Sequence, residues 1–213
     1  QIPSLRIYLA RRYLRIGIPL MVIIGITSIL KTSLTLYNDS ILWSLVAEVI
    51  YYGLYPGLLA CRRKCSGWDP IILGCVGMAI VLASTNPSAG DYQTYGNLLN
   101  WIIGLPCWLS GCWLAEKILK KEPPLSPSPH SIWIWRLSIW GMATVCSILR
   151  YHSPLGYPWT LNLFAIAVVL WLAHEVAHCI ATPFPRWLEW AGSWSYSLYL
   201  VHLLAAPVYG KLS

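Results

Sequence analysis

Residues 159–178 read WTLNLFAIAVVLWLAHEVAH, an apolar stretch long enough to decide the fold class. A helix needs roughly 20 such residues to cross the hydrocarbon region of a bilayer. Further apolar runs precede and follow this one, and they are separated by turn-rich connectors. They predict an all-α, polytopic membrane helix bundle. The predicted crossings are residues 14–30, 40–60, 71–85, 97–115, 132–149, 159–178 and 191–210.

The composition also indicates that this chain is surrounded by lipid. Hydrophobic residues make up 57% of the 213 residues and charged residues only 11%, which is wrong for an ordinary soluble domain. Thirteen Trp and thirteen Tyr stand against two Phe, and amphipathic aromatic residues collect where helices meet the headgroup region. The net charge is +7, but no nucleic-acid motif accompanies it, so no nucleic-acid partner is expected.

Loops that are rich in lysine and arginine alternate along the chain with loops that are poor in them, as the positive-inside rule requires. The basic set of loops is predicted to be cytoplasmic, and Gln1 begins on that side. We therefore expect a multi-pass protein of the inner (plasma) membrane. The residues of the basic loops are Arg6, Arg11, Arg12, Arg15, Arg62, Arg63, Lys64, Lys117, Lys120, Lys121 and Arg186.

Glu48 is the clearest ionisable residue inside a predicted crossing. A charged group there costs about 3 kcal/mol on insertion scales, so its presence is a functional-site hypothesis by default. Helical steps of four, four and three place Ser44, Glu48, Tyr52 and Tyr55 on one stripe. The alternative is that the stripe only forms hydrogen bonds between helices. The spacing alone does not decide between the two.

Two arginines stand at the entrance of the first predicted crossing. Arg12 and Arg15 are three residues apart, so they share a helix face and can grip a phosphate through their guanidinium forks. The alternative is that they set the topology and extend to the headgroup region.

The last predicted crossing carries hydroxyl groups and an imidazole on one face. Ser195, Tyr199 and His202 follow steps of four and three. An intramembrane histidine is either a catalytic group or a hydrogen-bonded residue of the helix core, and both interpretations remain open here.

His174-Glu175-Val176-Ala177-His178 matches the H-E-x-x-H pattern, in which two histidines bind zinc and the glutamate activates water. A catalytic zinc needs a third protein ligand, and Glu189 is the only acidic residue that follows the pattern. An intramembrane metalloprotease is therefore a minor alternative, and no metal site is expected.

Three segments, in this order, resemble the acyltransferase-3 family of membrane O-acyltransferases. They are Arg12-Tyr13-Leu14-Arg15, then Trp43-Ser44-Leu45-Val46-Ala47-Glu48 leading to a tyrosine-rich helix with Pro56, and Ser195-Tyr196-Ser197-Leu198-Tyr199-Leu200-Val201-His202. The Trp-Ser-Leu-x-x-Glu block is fairly specific, the terminal block moderately so, and Arg-x-x-Arg is weak alone. The order and spacing match from end to end.

The resemblance implies transfer of an acyl group, usually acetyl, from acyl-CoA to a hydroxyl group of a glycan, a lipid or a small molecule. Acyl-CoA is then a donor substrate, and no bound cofactor is expected. The resemblance also implies that Arg12 and Arg15 engage the CoA side and that Glu48 is the family's intramembrane carboxylate.

Eight residues are therefore candidates for the site. Glu48 and His202 are the catalytic candidates, although in the family a residue at the place of His202 orders the helix bundle. Arg12 and Arg15 are the donor-binding candidates. The candidates for lining the substrate cavity are Trp43, Ser44, Tyr52 and Tyr199.

The chain departs from the family pattern at its start. The family has in its first helix a histidine shortly after an arginine, and that histidine is regarded as catalytic. The seven crossings match the family from its third helix onward, so we expect a fragment that lacks two upstream helices and one downstream. The isolated fragment is expected to be inactive. The alternative outside enzymes is a transporter or glycan-export component whose polar stripes line a permeation path.

Overall fold

The computed structural model describes residues 4–29, 42–91, 93–96, 98–120, 129–182 and 185–201. Within these ranges the chain has seven α-helices, one turn of 3-10 helix at Gln93–Tyr95 and no strand, which confirms the all-α prediction. The α-helices are α1 (Leu5–Ile29), α2 (Leu42–Lys64), α3 (Asp69–Thr85), α4 (Asn100–Leu119), α5 (Pro129–His152), α6 (Tyr157–Ala181) and α7 (Arg186–Val201).

One α-helix corresponds to each predicted crossing, but the ends differ. α1 begins at Leu5 rather than near residue 14, because the basic stretch continues the helix beyond the apolar run. Arginine and leucine are both good helix formers. α7 begins at Arg186 rather than at residue 191, and residues 202–210 of the last predicted crossing lie outside the described residues.

Four helical segments are long and apolar enough to cross a membrane: Ser44–Lys64, Asn100–Leu119, Ile132–His152 and Tyr157–Ala181. α3 is apolar but shorter. Large apolar side chains such as those of Leu73 and Trp140 are more than two-thirds exposed, at 72% and 73%, which suits a lipid surrounding. That α1, α3 and α7 also cross the membrane stays a prediction.

The chain divides into two compact units. Unit 1 comprises Gln1–Pro56 and Phe184–Ser213, and unit 2 comprises Gly57–Pro183. In unit 1, α1 contacts α7. In unit 2, α4 packs against α3 and α6, and α5 packs against α6. α4 and α6 therefore form the centre of unit 2.

Small side chains allow the helices of unit 2 to approach closely. Cys75, Ala79 and Ala83 are buried and recur every four residues along α3, so they share one face. α4 contributes the larger Ile103 and Leu109, which are 1% and 0% exposed. Van der Waals packing of this kind is what drives helix association where lipid removes the hydrophobic effect.

A side-chain amide satisfies backbone carbonyls beside a helix-internal proline. Pro106 in α4 has no N–H and disturbs the carbonyls of the preceding turn. Asn162 on α6 donates to the Ile103 carbonyl at 3.2 Å and to the Pro158 carbonyl at 2.8 Å. Its Oδ1 accepts from the Cys107 thiol at 3.3 Å. Asn162 thus joins α6 to the turn of α4 that precedes Pro106, and its second acceptor belongs to its own helix.

The connector after α3 meets the start of α6 at close range. The Gly156 N–H donates to the Pro87 carbonyl at 3.0 Å, and the Tyr157 N–H donates to the Ala89 carbonyl at 2.6 Å. A Cβ atom at Gly156 would lie 2.4 Å from the Ala89 oxygen. Only glycine therefore fits at this position without moving backbone atoms.

Two more hydrogen bonds hold the same connector. Arg150 Nε donates to the Gly90 carbonyl at 2.6 Å, and the buried Tyr95 hydroxyl donates to the Asn86 carbonyl at 2.6 Å. Burial raises the pKa of the Tyr95 phenol, so the group stays a donor. The connector is thus held to the end of α5 through Arg150, and its two ends are joined to each other through Tyr95.

Gly156→Ala should destabilise the protein by about 1–3 kcal/mol, the usual cost of overpacking, because the new methyl group meets backbone rather than a movable side chain. Gly141→Ala in α5 is the matched control, since a Cβ atom there meets nothing within 4 Å. The thermal midpoint of the detergent-purified protein measures both. Equal midpoints for the two variants would contradict the proposed close approach.

Candidate active site

The Glu48 carboxylate is held by a tyrosine one helical turn further along α2. The Tyr52 hydroxyl donates to Glu48 Oε1 at 2.5 Å. Tyr52 itself is only 8% exposed, and the i to i+4 spacing places both groups on one face. The polar stripe predicted on this helix therefore forms, and its two central members, Glu48 and Tyr52, are hydrogen-bonded to each other.

Arg12 of α1 lies against the same tyrosine. Its guanidinium carbon is 5.2 Å from the centre of the Tyr52 ring and 5.7 Å from the centre of the Tyr8 ring. Both distances allow attraction between the cation and the negative ring faces. The Tyr8 and Tyr55 rings are 5.7 Å apart, so an aromatic contact also joins α1 to α2 near Arg12.

The local sequences explain why these side chains meet. On α2, Leu45 and Ala47 are buried beside Glu48, and on α1, Ile16 is buried one turn after Arg12. The Tyr13 hydroxyl lies over Gly53, 3.5 Å from where a Cβ atom would be. A small residue on α2 therefore leaves room for an aromatic residue of α1.

The structure describes the other predicted site residues to different extents. Ser44 lies half-buried on the Glu48 face of α2, and Arg15 is exposed one turn after Arg12. Trp43 and Tyr199 fall within helices, but their side chains are outside the described part of the structure. His202 lies outside the described residues altogether. The Ser195 hydroxyl donates to the Gly192 carbonyl within its own helix at 2.8 Å.

The glutamate of the H-E-x-x-H pattern is engaged in an ion pair. Arg136 of α5 donates to Glu175 through Nε at 3.1 Å and through its terminal nitrogen at 2.6 Å. Trp171 Nε1 donates to the same carboxylate at 3.0 Å. The Arg136 guanidinium also lies 4.8 Å from the centre of the Trp133 ring. A carboxylate bound in this way is not placed to activate a metal-bound water.

The first histidine of the pattern is engaged as well. His174 Nδ1 lies 2.8 Å from the Leu170 carbonyl oxygen, and the imidazole stacks on the Trp135 ring at 4.3 Å. Among the described residues, no group of three or more His, Cys, Asp or Glu side chains is arranged to hold a metal ion. The geometry gives the metalloprotease interpretation no support.

Comparison with known proteins adds the decisive observation. A family model described as an acyltransferase domain matches residues 2–213. The chain belongs to the acyltransferase-3 family. This membership confirms the resemblance read from the three sequence segments, and acyl transfer is the general activity of the family. Neither the search of curated proteins nor that of solved structures gave a match.

Unit 2 contains one more carboxylate cluster that the sequence interpretation missed. Glu116 of α4 accepts from Arg62 of α2, from Trp68 Nε1 at 2.7 Å and from Lys120 Nζ at 2.8 Å. The i to i+4 spacing of Glu116 and Lys120 was a visible signal. Nothing in the spacing indicated the contacts with Arg62 and Trp68, which are distant in sequence.

The ion pair of Arg136 and Glu175 allows a test of its structural role. Glu175→Leu should destabilise the protein by more than about 1 kcal/mol, because the guanidinium is left without its acceptor in an apolar segment. The double variant Arg136→Leu/Glu175→Leu should recover most of that loss, since an apolar pair of similar size needs no partner. Thermal midpoints in one detergent measure both. A double variant as unstable as Glu175→Leu would contradict this role.

Proposed function

We propose that the full-length protein transfers an acyl group, in particular acetyl, from acyl-CoA to a hydroxyl group of a glycan, a lipid or a small molecule. The observation that carries the proposal is a continuous set of contacts in unit 1. Arg12 lies over the Tyr52 ring, and the Tyr52 hydroxyl donates to Glu48. One side chain thus connects the candidate donor-binding cation with the candidate catalytic carboxylate.

Arg12 and Arg15 would bind the phosphates of the donor. A guanidinium held over an aromatic face keeps its N–H donors in its own plane, where phosphate oxygens can accept them. Arg15 is exposed one helical turn away on α1 and adds a second fork. CoA is a cytoplasmic polyanion, so this role agrees with the predicted cytoplasmic start of α1 and with a location in the inner membrane.

Glu48 would orient or polarise the general base of the reaction. The acceptor oxygen attacks the thioester carbonyl, the carbon–sulfur bond breaks, and CoA leaves as a thiolate. The base removes the hydroxyl proton and passes it to the thiolate. Hydrogen-bond donors from Arg or Tyr would stabilise the negative oxygen of the intermediate. His202 remains a second catalytic candidate, and Trp43, Ser44 and Tyr199 remain candidates for lining the substrate cavity.

The role of Glu48 is tested by acetyl transfer in membranes that contain the full-length protein. Glu48→Gln should reduce kcat by about a hundred-fold, because it removes the charge that orients or polarises the general base. Tyr52→Phe keeps the ring under Arg12 but removes the hydrogen bond, so kcat should fall about ten-fold with an unchanged KM for acyl-CoA. Wild-type rates for Glu48→Gln would refute this role.

The donor-binding role is tested separately on α1. Arg12→Gln should raise the KM for acyl-CoA by about ten-fold, the effect expected for one charge-assisted phosphate contact. Arg11→Gln is the matched control, because it removes the same charge from an exposed neighbouring position. Equal effects of the two variants would reduce the role of Arg12 to general surface charge.

Equilibrium binding separates this proposal from the transporter alternative. A transporter has no use for the thioester, so labelled acyl-CoA should bind saturably only if the protein is an acyl-CoA-dependent enzyme. Absence of saturable binding to the purified full-length protein would favour the transporter.

A further inference from the structure

A pocket of about 140 Å³ lies in unit 2, and none of the residues that line it is used in the proposed transfer. It is formed by the end of α2, the connection to α3 and the end of α4. These helix ends carry the basic loops that are predicted to be cytoplasmic. Basic pockets between membrane helices on that side are typical binding places for anionic headgroups.

The lining of the pocket is mainly charged and aromatic. Three cations, Arg62, Lys117 and Lys120, line it together with two acidic residues, Asp69 and Glu116. The cations therefore outnumber the carboxylates. The indoles of Trp68 and Trp113 form its aromatic walls, and tryptophan is the residue that favours the headgroup depth of a membrane.

Glu116 arranges the cations around the pocket. It accepts hydrogen bonds from Arg62, from Trp68 and from Lys120. This fixes the guanidinium and the ammonium group near one point. Lys120 remains 52% exposed, so a ligand entering from the water or headgroup side meets its charge first.

Arg62 has a donor that its pair with Glu116 does not use. Its Nε atom is buried and has no hydrogen-bond partner among the described residues. A buried donor without an acceptor is costly. Because Arg62 lines the pocket, a small adjustment of its side chain would present this N–H to an anionic oxygen.

The size of the pocket limits what can bind. At about 140 Å³ it is smaller than the roughly 300–1,000 Å³ of sites that enclose drug-sized ligands. A single phosphate group fits this space better than a whole nucleotide does. The positive charge of the pocket and its small size therefore both favour a single phosphate group.

We propose that this pocket binds a phosphate group, supplied either by the headgroup of an anionic phospholipid or by acyl-CoA. Acyl-CoA as the source rests on the proposed function, whereas the phospholipid headgroup does not. Lys120 provides the exposed contact, the half-buried Lys117 a second one, and Arg62 the inner one.

The test uses the purified full-length protein and two probes, short-chain phosphatidylglycerol and CoA, each titrated at low salt. Lys117→Gln/Lys120→Gln should weaken the binding of one probe by about ten-fold or more. Arg63→Gln/Lys64→Gln is the control: it removes two charges from the same end of α2 at exposed residues that do not line the pocket, and it should change affinity less than about two-fold. Lys120→Glu alone is a second variant, and its reversed charge should weaken the same probe.

The outcomes identify the source of the phosphate. Loss confined to phosphatidylglycerol supports a lipid headgroup, and loss confined to CoA supports the donor phosphates. Unchanged binding of both probes in both pocket variants would overturn the proposal, as would an equal loss in the control. Failure of acyl transfer would leave the lipid result intact, so the two proposals can fail separately.

Discussion

The need to satisfy carboxylates within apolar helices organises this structure. Three glutamates, Glu48, Glu116 and Glu175, lie in helices that are long and apolar enough to cross a membrane, where a charge without a partner is costly. Each accepts a hydrogen bond from an aromatic side chain, and the donors are Tyr52, Trp68 and Trp171. The aromatic balance of the chain, with many Trp and Tyr and few Phe, thereby acquires a second explanation: Trp and Tyr carry a donor that Phe lacks.

The three carboxylates differ in how their charge is compensated. Glu116 and Glu175 each form a direct ion pair with an arginine, and such pairs fasten one helix to another. Glu48 receives a neutral phenol, and the nearby Arg12 contacts the ring of that phenol instead of the carboxylate. Arg12 and Glu48 are therefore linked through Tyr52 and form no ion pair with each other. The guanidinium donors of Arg12 are not used by this carboxylate. This arrangement fits the roles proposed for Arg12 and Glu48, a binding cation and a reactive carboxylate, better than it fits a purely structural link.

Hydropathy and motif order predicted the helices and the family, because both depend on local sequence. The partners of the charged groups could not be predicted in the same way. Arg12 and Tyr52 lie on different helices, as do Arg136 and Glu175, and periodicity carries no information on which helix faces meet. The H-E-x-x-H match, a minor alternative from the start, illustrates the same point: spacing places Glu175 correctly relative to its histidines but does not reveal its ion pair with Arg136. Asn162 was likewise invisible, since its partners Ile103 and Cys107 lie on another helix.

Tyr52 gives the candidate site a property that neither arginine nor glutamate could provide alone. Its ring attracts the guanidinium of Arg12, and its hydroxyl fixes the orientation of Glu48. If Arg12 binds the donor phosphate as proposed, part of the positive charge over the ring would be compensated, and the ring would become a poorer partner for that cation. A phenol whose ring faces a weaker cation is a weaker donor, so the carboxylate becomes more available to its own partners. Donor binding and carboxylate reactivity would then be coupled through one side chain, without movement of the helices.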